Sequence, residues 1–212
     1  MFVKELWRYP VKSMAGARIP QADVGELGIA GDRTILVHIG GNLITSRTHH
    51  RLLGLKGTLG SNGVPLISGH KWDSQEALHL VKEAAGPDAE LIQYNGAERF
   101  DVLPLLVATD GAISHMGFDG RRLRPNIVIG GVEGLKEREW PGHRLRIGGV
   151  IIHAAKLRSR CIITTFDPDT MQQDRTVLKR IVHELGGKMA LDCAVLHGGV
   201  IREGDPVAVL ED

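Results

Sequence analysis

Apolar positions recur along this chain in short runs rather than in long helical stripes. Segments rich in Val, Ile and Leu, each bounded by glycine, proline or charged turns, predict strands. They fall at 3–8, 17–24, 34–38, 52–59, 126–129, 144–147, 150–155, 162–166, 190–196 and 206–210. Gly148 and Gly149, between two alternating runs, predict a two-residue hairpin turn. Residues 203–205 predict a turn before a closing strand. The helical period is rarer. Asp73 with Glu76 resembles a capping box, and Ala77, Leu80, Val81 and Ala84 then share one face. Asp174 is placed to cap a second helix, with Leu178, Ile181, Val182 and Leu185 as its stripe and Gly186-Gly187 as its stop. Residues 110–115 predict a third, short helix. Strands and helices do not alternate, so a doubly wound parallel sheet is not expected. The expected class is mainly β with a few helices (α+β), a β-rich barrel or sandwich. The Gly- and Pro-containing stretch 86–104 reads as a seam. It divides the chain into parts 1–95 and 96–212, expected to pack as one unit.

Composition narrows the classes. The 212 residues are 42% hydrophobic and 24% charged, the balance of a globular protein with its own core. Lys plus Arg is 26 and Asp plus Glu is 25, so no overall field draws the chain to nucleic acid or an anionic membrane. An anion site must be a local cluster of cations. Two cysteines, Cys161 and Cys193, exclude a disulfide framework, a four-cysteine zinc site and an iron–sulfur set. The N-terminus lacks an apolar h-region, and no apolar run approaches the length of a membrane span. A reducing cytoplasm is the expected location.

Three segments carry candidate chemistry. In RSRCIITTFDPDT, Cys161 follows Arg158, Ser159 and Arg160. A guanidinium stabilises a thiolate, the form that attacks electrophiles and ligates soft metals. The same spacing suits a small buried residue at a strand start, because neighbours on a strand face opposite ways. In RRLRPNIVIGG, three arginines precede Pro125 and Asn126. Proline holds the residue before it extended, which would give Arg124 a fixed base for a bidentate grip on phosphate. A solvated basic turn reads the same way. In YPVKS, Lys12 and Ser13 supply a point charge and a hydroxyl without the glycines of a P-loop. Arg33 ends a GDR turn. His49 and His50 are adjacent, not one helical turn apart, and do not form a helical metal pair. There is no GxSxG, so a serine hydrolase is a poor fit.

In order, LWRYPVKSMAG, LGIAGDR, LITSR, RPNIVI, Trp140, RLRIGGVIIHAAK, SRCIITTFDPDT and GDPV resemble the MOSC family. That is the fold of the C-terminal domain of molybdenum cofactor sulfurase. The blocks span nearly the whole chain, and their order is more specific than any one of them. The resemblance implies a β-barrel-like N-terminal half, a MOSC domain after it, and the molybdenum cofactor as ligand. In amidoxime-reducing members the cysteine of SRC ligates molybdenum, which here is Cys161. It implies cofactor contacts from Lys12, Ser13, Arg33, Thr109, Asp110, Arg124, Asn126, Ser159 and Arg160. The implied activity is reduction of N-hydroxylated or N-oxide small molecules, with electrons from a separate donor protein. The alternative is a non-catalytic carrier of the cofactor or of a Cys161 persulfide. A third possibility is a metal-free interaction domain. Pyridoxal phosphate binding is a family-level association only, since the two halves leave no room for a desulfurase. Two departures stand out: residues 60–104 are compressed, and Arg158 adds a cation beside the SRC motif.

Overall fold

The computed structural model describes residues 1–210. Its largest sheet has eight strands: β1 (Phe2–Arg8), β2 (Ala17–Ile19), β3 (Leu105–Thr109), β4 (Ile127–Gly130), β5 (Arg144–Ile147), β6 (Val150–Ser159), β7 (Lys188–His197) and β8 (Val207–Leu210). The spatial order is β8-β5-β6-β7-β3-β4-β1-β2. Three helices accompany it: α1 (Gln75–Ala85), α2 (Asp110–Met116) and α3 (Arg175–Leu185). The mainly β, α+β class is as expected. One pair differs from the expected topology, because β3 and β4 run parallel with α2 in the crossover between them. Seven helical residues are too few to show a clear stripe in sequence.

The large sheet stays open, and no sheet among the described residues closes into a barrel. Its ends nonetheless meet. Val3 N donates to Asp205 O at 2.9 Å, and Val207 N to Met1 O at 2.9 Å. The pairing stops at a single bridge, Phe2 with Pro206, where proline offers no N–H to a ladder. Three smaller sheets complete the fold. In one of them, Gly199–Arg202 pairs with Gln21–Gly25, so a C-terminal strand extends an N-terminal sheet.

Several local expectations are corrected. The run 17–24 divides at Pro20 into Ala17–Ile19 and Gln21–Gly25. The run 52–59 is a 3₁₀ turn, His50–Gly54, followed by a short strand, Gly57–Leu59. The run 162–166 is also a 3₁₀ turn, Ile162–Thr165. There the Thr164 hydroxyl donates to Cys161 O (2.8 Å) and the Thr165 hydroxyl to Ile162 O (2.6 Å). Such local bonds compete with a strand ladder despite the β-branched sequence. The cap of α1 is Ser74, not Asp73, and its Oγ accepts from Ala77 N at 3.2 Å. Asp174 caps α3 as expected, but the buried stripe is Val177, Ile181 and Leu185, with Val182 turned outward.

One apolar core lies within the large sheet, from Leu6 and Ile127 to Ile152 and Leu191. A second joins α1 to the N-terminal strands, and a third packs α2 and α3 together. No helix among the described residues is long and apolar enough to cross a membrane. Where β6 leaves the sheet, its pairing with β7 slips between Ala154 and Lys156 and again between Leu157 and Ser159. Such bulges re-aim side chains, and this one delivers the segment holding Ser159, Arg160 and Cys161.

Candidate functional site

Lys12, Ser13, Arg33, Arg124, Asn126, Ser159, Arg160 and Cys161 line one open cleft. The first three come from the N-terminal part, the rest from the C-terminal part. Thr109 and Asp110 are not brought to it. The Thr109 hydroxyl donates to Glu137 Oε2 (3.0 Å) and accepts from Ala112 N (3.3 Å), capping α2. Asp110 accepts from the backbone of Gly131 and Val132 on another face. Both side chains are used by the local structure of the β3–α2 junction.

Backbone conformation marks the cleft. Ser13, Arg33 and Arg124 all have left-handed backbones, with φ of 72°, 54° and 58°. Non-glycine residues rarely adopt this region, and functional sites concentrate such strain. Arg124 was expected to be extended before Pro125; it sits instead at φ 58°, ψ 49°. Its surroundings impose this. Arg124 N donates to Arg121 O at 3.0 Å, and the Tyr9 hydroxyl holds Pro125 O at 3.1 Å.

Beneath the cleft lies a fully buried carboxylate, Asp32. It accepts from Tyr9 N (2.7 Å), from Asn126 Nδ2 (3.2 Å) and from Arg33 Nη1 in a very short contact. Asn126 Oδ1 accepts from Leu106 N (3.1 Å) and Arg33 Nη1 (3.4 Å). Asn126 is therefore a clamp between β1, β3 and the GDR turn, and the charge of Arg33 is compensated from below. Arg33 and Arg124 both lie over the Tyr9 ring, at 5.2 and 4.5 Å from its centroid.

Two cations differ from Arg33 in lacking a carboxylate partner. Burial pushes Arg124 down to about 10 and Arg160 down to about 10. Arg160 Nη2 donates to Leu123 O at 2.9 Å. Arg124 Nη2, Arg160 Nε and Ser46 Oγ are buried without a hydrogen-bond partner among the described residues. A buried donor left unpaired is costly, so such atoms mark where an acceptor belongs. Lys12 is different. Its Nζ donates to Arg99 O (2.6 Å) and Asp101 Oδ1 (2.7 Å). Burial lowers its pKa, against the charge of Asp101. Asp101 also accepts from Arg47 Nη2 at 2.9 Å. Burial raises the Asp101 carboxyl, but Lys12 and then Arg47 outweigh it and hold it below the usual value.

Cys161 starts the turn Ile162–Thr165 and is partly exposed to the cleft. Cys193 is fully buried in β7, where burial pushes its thiol up. No group of three or more His, Cys, Asp or Glu residues is arranged to hold a metal ion among the described residues. The chain offers a soft thiol but not a complete protein cage. Sequence reasoning missed Ser46, Arg47 and Asp101 as cleft residues. Ser46 and Arg47 lie in the LITSR block, a usable signal; Asp101 lies in the seam 86–104, where no pattern points to it.

Residues 1–95 match the family model of the MOSC N-terminal beta barrel domain, and residues 85–208 match that of the MOSC domain. Mitochondrial amidoxime reducing component 2 of Macaca fascicularis is 26% identical, over 97% of this chain and 82% of that protein. Mitochondrial amidoxime-reducing component 1 of Homo sapiens is also 26% identical, over 98% of this chain and 82% of that protein. The crystal structure of the YUAD protein from Bacillus subtilis superposes with a TM-score of 0.54 at 15% identity, covering 97% of this chain and 93% of that one, a likeness of fold alone. With the MOSC domain model spanning more than half of its length, this chain belongs to the MOSC family.

Proposed function

We propose that this chain binds the molybdenum cofactor in the cleft and reduces N-hydroxylated or N-oxide small molecules with electrons from a separate donor protein. The observation that carries this reading is the pair of buried, unpartnered donors, Arg124 Nη2 and Arg160 Nε, in the same cleft as the Cys161 thiol. Guanidinium forks suit a terminal phosphate, and a thiolate suits a soft metal. This chain would supply one sulfur from Cys161, and the cofactor's own dithiolene would supply two more.

When bound, the cofactor supplies two-electron exchange with an N–O bond. The chain's own residues do the holding. Arg124 and Arg160, with Ser13, Ser46 and Ser159, grip the phosphate and pterin. Asn126 and Asp32 fix the height of Arg33. Tyr9 covers Arg33 and Arg124 and keeps water from their faces. Lys12 and Asp101 tie the seam to the cleft wall. Parts 1–95 and 96–212 thus act as one functional unit. Within this reading Thr109 and Asp110 shape the β3–α2 junction and do not touch the cofactor. A reducing cytoplasm suits the free Cys161 thiol.

The test is molybdenum and pterin content after expression in a cofactor-competent host, followed by reduction of a hydroxylamine-type compound with an artificial electron donor. The expected result is retained molybdenum and turnover. Molybdenum without turnover identifies a carrier; protein with neither overturns the reading.

A further inference from the structure

A second, open pocket adjoins the cleft. It shares Arg47, Asp101, Arg158 and Ser159 with the cleft wall. Lys156, Lys188 and Asp192 complete its charged lining. Four cations thus surround one space in a chain whose net charge is only +1.

The two carboxylates pair with two of them, Asp101 with Arg47 and Asp192 with Arg158, and leave the lysines without a carboxylate. Asp101 is already engaged by Lys12 and Arg47. Asp192 is 1% exposed, and neither of its oxygens has a hydrogen-bond partner among the described residues. Arg158 Nε faces Asp192 Oδ1 at 3.1 Å without hydrogen-bond alignment. Burial raises the Asp192 carboxyl, against the charges of Arg158, Lys156 and Arg160. The side chains of Lys156 and Lys188 are exposed and make no hydrogen bond or ion pair among the described residues. Like charges gathered around a concave space raise the local potential and draw in anions.

We propose that this pocket binds a phosphate group carried by the small molecule that is reduced in the adjoining cleft. Four cations suit a dianion better than a carboxylate. Arg158 offers a planar fork, and the two lysines offer mobile point charges. Arg158 and Ser159 lie between the two spaces, so one molecule spans both. What the pocket serves rests on the reading under Proposed function; that it binds phosphate does not.

The first arm is calorimetric titration of the full chain with inorganic phosphate. Both Lys156→Ala and Lys188→Ala remove exposed side chains, so the double variant folds. A charge-assisted bond is worth roughly 1.5–3 kcal/mol, so binding at this pocket should weaken about tenfold or more. Arg124→Ala should leave that binding in place. Phosphate affinity equal in wild type and the double lysine variant overturns the proposal. The second arm compares a phosphorylated hydroxylamine-type compound with its unphosphorylated analogue. The double variant should raise KM for the phosphorylated compound alone, with kcat unchanged. A nucleotide on the pterin released by acid would assign the phosphate to the cofactor's tail and overturn the substrate assignment. Absence of molybdenum and pterin defeats the functional reading while the phosphate titration still stands.

Discussion

The Arg124 guanidinium carbon lies 4.5 Å from the centroid of the Tyr9 ring. One residue belongs to YPVKS and the other to RRLRPN, more than a hundred positions apart. The ring holds a buried cation whose Nη2 has no other partner among the described residues. A cation over a ring gains about 2 kcal/mol when desolvated. The Tyr9 hydroxyl, donating to Pro125 O, fixes the turn that carries Arg124. Strain at Arg124, stacking on Tyr9 and burial of both are one device, and it orients a charge that the fold itself leaves unneutralised.

Tyr9→Phe keeps the ring and loses one hydrogen bond, so it should cost about 0.5–1.5 kcal/mol of stability. Tyr9→Ala also removes a fully buried ring and should cost about 3–5 kcal/mol. Urea denaturation measures both. Anion retention in the cleft should survive Tyr9→Phe and fall in Tyr9→Ala. Equal retention in the two variants would show that the ring does not position Arg124.

Arg124→Ala should weaken cofactor retention about tenfold or more, the loss of one charge-assisted contact. Arg121→Ala should not, although it lies three positions away in the same basic run. Arg121 is engaged by Asp119 and Asp169 at 2.6 Å each on the surface, and exposed pairs are worth about 0–1 kcal/mol. Pterin content per chain after gel filtration distinguishes them. Equal losses at both positions would indicate a diffuse basic patch.

Much of this was legible in sequence, and the exceptions have physical causes. The strands at 144–147 and 150–155 and the Gly148-Gly149 turn follow from alternation and turn chemistry, and register confirms them, Ile147 opposite Val150. Residues 162–166 misled because β-branched composition favours strands only where the backbone finds a ladder. Here Thr164 and Thr165 bond to their own turn instead. Arg124 misled because a local rule about proline yielded to tertiary contacts from Tyr9. The family resemblance names Thr109 and Asp110 as cofactor contacts, whereas the structure uses their side chains in the cap of α2 and against the Gly131 backbone. Asp101 carries no local signal. Its part in the cleft arises only when the chain brings it to Lys12, 89 positions away.

The Lys12–Asp101 pair sets a pH dependence of stability. The folded pKa of Asp101 lies below its ordinary value. Its contribution is therefore present above the unfolded carboxylate value, near about 3.9, and is lost as pH falls through the folded value. Asp101→Asn should be less stable than wild type at neutral pH, because Lys12 and Arg47 lose their shared partner. The gap should shrink toward zero in acid, where wild-type Asp101 is protonated. Denaturation midpoints across the acid range measure this. A gap that stays constant with pH would mean that packing, not charge, accounts for the contribution of Asp101.

The two thiols should behave oppositely. Cys193 is 0% exposed in the core of the large sheet, and burial pushes its thiol above the ordinary value. Reagents reach it only when the core opens, so alkylation should be slow. Cys161 opens onto the cleft at the start of a short turn and should be labelled first. If it ligates the metal, cofactor loading should protect it, because ligation occupies the sulfur. Cys161→Ser should abolish molybdenum retention, since a serine oxygen is harder and far less available as an anion at neutral pH. Cys193→Ser should leave retention intact and lower stability by about 1–3 kcal/mol, the cost of a buried hydroxyl without a good partner. Alkylation rates by mass spectrometry, on cofactor-free and cofactor-loaded protein, separate the two roles. Labelling of Cys193 before Cys161, or equal labelling of Cys161 in both forms, would remove the metal-ligand assignment.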